Sequence, residues 1–282
     1  MTRWEACGRA IVTDRVPRVM GIVNVTPDSF SDGGRAATRD AAIAHALRLV
    51  DEGADLLDIG GESSRPGAEP VPEDEELRRV LPVVEALAPR VPVPISVDTT
   101  KAGVAVRALR AGASIVNDIT ALRGDLDLPR VVAESGAGVV LMHMAGTPRT
   151  MQDDPRYGDV VGDVRDFLAG RIAEVESLGI PRARVAIDPG IGFGKTLEHN
   201  LELLRNLDRF ATLGCAVLIG TSRKGFLGAL TGRPVAERAT ASVVSSLAAA
   251  TRGAHVVRVH DVAPMVDAIK IWAELRGWEE MP

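Results

Sequence analysis

Gly53-Ala-Asp-Leu-Leu-Asp58, Gly112-Ala-Ser-Ile-Val-Asn117 and Gly253-Ala-His-Val-Val-Arg258 share one layout: a glycine, an alanine, a short apolar run, and a polar residue five places after the glycine. Gly136-Ala-Gly-Val-Val-Leu141 begins the same way and delays its polar residue to His143. Each copy follows a helical pattern, so the glycine reads as a left-handed helix cap and the apolar run as a short buried strand. Worked outward, this reading gives eight strands: Val19–Val23, Leu56–Ile59, Pro94–Val97, Ile115–Asn117, Gly138–Met142, Val185–Ile187, Ala216–Ile219 and His255–Val259. They are short, apolar and often β-branched, as strands covered on both faces are. Helical patterns fill the gaps over about Arg39–Glu52, Pro72–Ala88, Lys101–Ala111, Leu128–Ser135, Gly158–Leu178, Glu198–Leu213, Ala236–Thr251 and Pro264–Arg276. Thr38, Pro72, Thr100 and Asp127 stand at helix starts, where such residues are favoured. Strands alternating with helices in this number predict an α/β fold, a single (β/α)8 TIM barrel. A doubly wound open sheet is the alternative, but it usually carries fewer parallel strands and a reversal of strand order.

The barrel is expected over residues 19–276, with 1–18 as an N-terminal extension and 277–282 as a C-terminal tail. The 282 residues are 46% apolar and 25% charged, ordinary values for a soluble globular protein. Asp plus Glu outnumber Lys plus Arg, 38 to 33, which speaks against a chain that coats nucleic acid or an anionic membrane. Aromatics are 3%, too few for a stacking platform. No apolar run approaches the ~18 residues of a membrane span. The first residues are broken by Arg3, Glu5, Arg9, Asp14 and Arg15, unlike a secretory signal. Two cysteines, Cys7 and Cys215, make neither a disulfide framework nor a metal cluster, so a cytoplasmic location is expected.

In such a barrel the active site forms where the strands end. The residues there are Asn24, Gly60 to Arg65, Asp98, Asn117, His143, Asp188, Ser222 to Lys224, Arg258 and His260, all polar apart from glycine. Arg65, Arg223, Lys224, Arg258 and His260 suit an anionic or phosphorylated ligand. Asp98, Asn117 and Asp188 suit a polar, nitrogen-rich ring. Asn24, beside Thr26, Asp28, Ser29, Ser31 and Asp32, offers hard oxygens for magnesium on a phosphate. His143, His199 and His255 read as structural or surface residues. The caps after Asp98 and Asp188 leave open a structural role for both, and Phe193 reads equally as core or as a lid. Only four lysines occur (Lys101, Lys195, Lys224 and Lys270), which gives each of them weight.

Three motifs fail on inspection. Gly190 to Thr196 lacks the first glycine of a nucleotide P-loop, because Pro189 stands there, and lacks the third glycine of a dinucleotide fold, because Lys195 stands there. Gly220 to Lys224 lacks the closing glycine of a hydrolase elbow.

Met20-Gly-Ile-Val-Asn-Val-Thr-Pro-Asp-Ser-Phe-Ser-Asp-Gly-Gly34 and Asp58-Ile-Gly-Gly-Glu-Ser-Ser-Arg-Pro-Gly67 resemble the two opening signatures of bacterial dihydropteroate synthase, in the pterin-binding family. Ser96 to Thr99, Val116 to Asp118, Asp188 to Lys195, Ser222 to Lys224 and Arg258 to His260 resemble its later motifs, in order. Ser64 stands where many members carry Thr, which keeps the hydroxyl. The resemblance implies condensation of 6-hydroxymethyl-7,8-dihydropterin diphosphate with para-aminobenzoate, giving 7,8-dihydropteroate and diphosphate. It implies that Asp98, Asn117, Asp188 and Lys224 hold the pterin, with Asp188 on its guanidine-like edge. It implies Ser64, Arg258 and His260 on the diphosphate, and magnesium (Mg2+) on Asn24. Arg65 and the loop Thr26–Gly33 would close over the site, while Ser222, Lys224 and Phe193 would help shape the para-aminobenzoate site. A homodimer is implied as well. A pterin-dependent methyltransferase and a silent pterin-binding paralogue remain rivals. The first would not need the diphosphate loop Ser63–Gly67, and the second should have lost charged site residues.

Overall fold

Residues 2–13, 16–26 and 34–276 are described by a computed structural model, with the side chains of 34–37 and 276 left out. The repeated glycines act as expected. Gly53, Gly112 and Gly253 sit at φ +100, +114 and +100, conformations that cost a residue with a Cβ, and each turns a helix into a strand.

Those strands are β3 (Arg18–Asn24), β4 (Leu56–Gly60), β5 (Ile95–Asp98), β6 (Ile115–Asp118), β7 (Gly138–Met142), β8 (Val185–Asp188), β9 (Ala216–Ile219) and β10 (Val256–Val259). They pair in parallel, in chain order, and β10 closes against β3 to complete an eight-stranded barrel. The open sheet is thereby excluded. Around it run α1 (Gly34–Asp51), α2 (Glu73–Leu87), α3 (Ala102–Arg110), α4 (Leu128–Ser135), α5 (Val160–Ser177), α6 (Leu197–Arg205), α7 (Asp208–Ala211), α8 (Gly225–Thr231), α9 (Ala239–Thr251) and α10 (Val262–Arg276). The helix expected over Glu198–Leu213 is two, α6 and α7, and α8 was not expected. Thr38 lies inside α1 rather than at its start.

The segment read as an extension is folded. β1 (Thr2–Ala6) and β2 (Arg9–Thr13) form an antiparallel hairpin. Its inward residues Trp4, Ala6 and Ile11 pack with Met20, Leu56, Ile115, Val140, Ala186, Leu218 and Val256 inside the barrel. The Trp4 indole donates to the Arg184 carbonyl at 2.9 Å. A second, larger apolar layer lies between barrel and helices, built from the outward residues of the same strands.

Strand alternation then fixes the site. Side chains two apart share a face. Above the inward apolar floor of Met20, Leu56, Ile115, Ala186 and Val256, the same face therefore carries Asn24, Asp58, Asn117, Asp188 and Arg258. No helix among the described residues is long and apolar enough to cross a membrane.

Candidate active site

At the centre of the strand ends lies a charge network that crosses the barrel. The Arg258 guanidinium donates from Nε to Asp58 Oδ2 at 2.6 Å and from Nη2 to Asp98 Oδ2 at 2.8 Å. Asn117 Nδ2 donates to the same Asp58 oxygen at 3.0 Å. Asp58 is fully buried, and its other oxygen, Oδ1, has no partner. Asp58 is the member of this network that sequence reading did not single out. Its inward parity was the available signal, since it stands at the position of its repeat that Asn117 and Arg258 fill in theirs.

Burial, with the Asp58 carboxylate nearby, pushes Asp98 up to about 7 against the pull of Arg258. Burial also raises Asp188, while Lys224 and the Gly190 N–H act the other way. Asp188 Oδ1 accepts that N–H at 2.7 Å. Lys224 is lowered to about 8, chiefly by burial and despite Asp188. Its ammonium lies 4.6 Å from the centre of the Phe193 ring and donates to the Ile191 carbonyl. Phe193 packs against Met142, Met144 and Met151, as the core reading expected, and presents its ring to Lys224.

Ser222 and His260 meet across the ends of β9 and β10, with Ser222 Oγ and His260 Nδ1 2.9 Å apart. This is the geometry of a nucleophile and its base, a pairing absent from the sequence reading. The chemistry does not follow. Burial, with Arg258 and Arg223 beside it, pushes His260 down to about 3, far too weak a base to activate an alcohol near neutrality. Ser222 Oγ also accepts the His260 backbone N–H at 3.1 Å. Its own proton is then free for Nδ1, which leaves Nε2–H as a donor suited to an anion.

Arg223 is paired with a carboxylate: its guanidinium donates to Asp261 through two bonds, at 3.1 and 2.6 Å, and its backbone sits at φ +57. His199 caps α6, and His255 accepts from the Val217 N–H, both structural as expected.

A cleft of about 340 Å³ opens at the rim, lined by Thr26, Ser63, Arg65, Pro66, Gly67, Ala68, Glu69, Val71 and Arg79. Ser64 is half-buried in the same β4–α2 loop. The loop is tied down at its base. Arg79 donates to the Gly61 carbonyl at 2.8 Å, and the Lys101 ammonium holds Glu62 and the fully buried Glu76. The candidate oxygens Asp28, Ser29, Ser31 and Asp32, and all of the expected closing loop Thr26–Gly33 apart from Thr26, lie outside the described residues.

The site thus joins a carboxylate-and-amide floor, a cationic and donor-bearing wall, an apolar face and an open rim cleft. The family model described as pterin binding enzyme matches residues 20–260. The dihydropteroate synthase of Escherichia coli (strain K12) is 46% identical over 257 residues, 90% of each chain. A Xanthomonas albilineans dihydropteroate synthase solved with 4-aminobenzoic acid is 52% identical, covers 99% of both chains and superposes with a TM-score of 0.92. A structure of dihydropteroate synthase from the same organism in complex with 7,8-dihydropteroate is 49% identical, covers 99% of this chain and 100% of that one, and gives 0.89.

Proposed function

Because the chain belongs to the pterin-binding enzyme family, we infer that it is a transferase working as a dihydropteroate synthase in folate synthesis. It joins 6-hydroxymethyl-7,8-dihydropterin diphosphate to para-aminobenzoate and releases diphosphate. The observation that carries this reading is the ring of inward strand-end residues, complete and assembled in one barrel mouth. The silent paralogue has no support, since no charged site residue is missing.

Asp188, Asn117 and Asp98 take the pterin, because they give acceptors and one amide at the barrel floor. Lys224 lies over the ring edge. Arg258 and the His260 Nε2–H, with Ser64, receive the diphosphate. The bond from the methylene carbon to the diphosphate oxygen breaks, and its electron pair leaves with diphosphate. The amine of para-aminobenzoate attacks that carbon and gives its proton to water. No protein nucleophile enters, in keeping with the weak basicity of His260. Thr26, Arg65, Ser222 and Phe193 shape the para-aminobenzoate site, and the rim cleft lined by Thr26 and Arg65 gives it room.

Magnesium fits this site only together with substrate. Among the described residues no three His, Cys, Asp or Glu side chains converge, and Asn24 offers one neutral oxygen from the end of β3. Such a donor suits an ion that keeps its waters and its substrate phosphates. When bound, the ion would neutralise charge on the departing diphosphate. Chelating it is expected to abolish turnover and leave the melting temperature unchanged. A fall in melting temperature would show a resident structural metal instead.

A homodimer has support in the exposed apolar residues Val244 on α9 and Ile271 and Leu275 on α10, 62, 63 and 59% exposed. A single-protomer mass in sedimentation at micromolar concentration would remove it.

The pH profile follows from the two shifted groups. Asp98 serves as a carboxylate, so kcat/KM for the pterin should rise as pH passes about 7. Lys224 serves as an ammonium, so it should fall as pH passes about 8. Lys224→Arg is expected to move the alkaline limb upward, and an unmoved limb would assign it elsewhere. The decisive test of function is diphosphate release with and without para-aminobenzoate, pteroate being followed by chromatography. Release uncoupled from pteroate, or pterin binding without turnover, would overturn the reading.

A further inference from the structure

Lys195 stands outside the polar ring, yet it is only 3% exposed. Its ammonium lies 2.9 Å from His143 Nδ1, 2.9 Å from the Phe193 carbonyl oxygen and 3.4 Å from the His143 carbonyl oxygen. These contacts join the loop after β7 to the loop after β8. The two loops are in close contact already: a Cβ on Gly190 would sit 1.9 Å from the His143 carbonyl oxygen, and Gly190 is at φ +72. Further bonds fix the β8 loop along its length. Tyr157 donates to the Gly194 carbonyl at 2.9 Å, Gln152 to the Gly192 carbonyl at 2.6 Å, and the Gly192 N–H to Asn200 at 2.6 Å.

On its other face this loop meets the site. The Ile191 carbonyl accepts from Lys224, and the Phe193 ring lies under the Lys224 ammonium. Two lysines therefore bracket one loop, one inside the protein and one in the active site. A buried ammonium is expensive where an apolar side chain would fill the space. Burial lowers Lys195 to about 7, with Lys224 adding to the effect and Asp188 opposing it. What lysine supplies that an apolar residue cannot is a directed set of hydrogen bonds, one of them to the carbonyl of Phe193 itself.

We propose that Lys195 is a positioning residue, which with His143 fixes the Phe193 backbone so that its ring forms a wall for the aromatic amine substrate. The proposal rests on the reading of Phe193 as part of the para-aminobenzoate site. Lys195 touches no substrate; it acts through Phe193. Its loss should weaken capture of the second substrate and spare the pterin floor: Asp98 and Asn117 stand on β5 and β6, and Asp188 is fixed within β8 and by the Gly190 N–H, ahead of Phe193 in the loop.

The test compares Lys195→Met, His143→Leu and Phe193→Leu with the wild type. Each is followed by melting, by calorimetric binding of the pterin diphosphate, and by steady-state kinetics with para-aminobenzoate varied. Lys195→Met is expected to raise KM for para-aminobenzoate about tenfold, with kcat within about threefold and pterin affinity within about twofold. His143→Leu leaves the lysine two carbonyl acceptors, so it should shift KM in the same direction by less. Should Lys195→Met fail to fold, His143→Leu decides the matter. An unchanged KM in a folded Lys195→Met or His143→Leu, or an equal loss of kcat and pterin affinity, would overturn the proposal. Phe193→Leu separates the two ideas. If it raises KM while the clamp variants do not, the reading of Phe193 stands and the role of Lys195 falls. If Phe193→Leu leaves KM unchanged, the reading of Phe193 itself fails.

Discussion

Asp188→Asn is expected to lower kcat/KM for the dihydropterin diphosphate by roughly three orders of magnitude, about 4 kcal/mol. The side chain is buried at the end of β8, and its Oδ1 already accepts the Gly190 N–H at 2.7 Å. The guanidine-like edge of a pterin presents donors only. A carboxylate answers it with acceptors on both oxygens. An asparagine would keep its single oxygen on Gly190 and turn its NH2 toward the ligand, setting donor against donor. One charge-assisted bond is lost, and a desolvated donor is left unpaired in its place, which costs more than the bond alone. The shape is unchanged and the Gly190 contact survives, so melting should shift by no more than a few degrees. Kinetics and calorimetric pterin binding check the result. A loss below about tenfold would mean that Asp188 only caps the β8 loop, the structural role its neighbours Pro189 and Gly190 first suggested.

That alternative shows where sequence reading ends. The strand ends were legible because closing a barrel requires the repeated glycine caps and the short apolar runs, and both are local patterns. β7 and β9 begin and end where the pattern placed them, and α4 does too. The hairpin β1–β2 carried a local signal as well: Trp4, Ala6, Ile11 and Thr13 are buried at alternate positions, with Cys7 and Gly8 at φ +46 and +77 in the turn. Its charges Arg3, Glu5 and Arg9 were weighed only against a secretory signal, and they lie on the hairpin's outer face. The charge pairings were not legible at all. Arg258 is 200 residues from Asp58 and 160 from Asp98, and only barrel closure sets them side by side. For the same reason the sequence did not show that Arg223 pairs with Asp261, 38 residues on. Residue type placed the cations at the mouth; which of them are already neutralised is a property of the tertiary fold.

The same distinction governs Lys101, whose replacement by Met is expected to cost about 3 kcal/mol of folding stability. Lys101 precedes α3, and its ammonium holds Glu62 from the β4–α2 loop and Glu76 from α2. Burial disfavours that ammonium, but the hydrogen bonds to the two carboxylates outweigh it and raise its pKa. Glu76 is fully buried and its Oε1 has no partner, so Lys101 is the one cation paired with it among the described residues. Removing the lysine strands a charge where water does not reach, whereas Glu62, 28% exposed, can be solvated. The pair need not be a net source of stability, because an ion pair in a protein interior can be replaced by apolar groups at little cost. Lys101→Met with Glu76→Leu should therefore return to within about 1 kcal/mol of the wild type in urea unfolding. Activity should not return with it. Glu62 immediately precedes Ser63, Ser64 and Arg65, and in both variants it has lost its anchor, so kcat/KM should stay depressed about tenfold after stability is restored. A double variant as unstable as the single one would show that Glu76 is not the stranded charge. A double variant with full activity would show that the loop holds its geometry through Arg79 alone, since that residue still grips the Gly61 carbonyl.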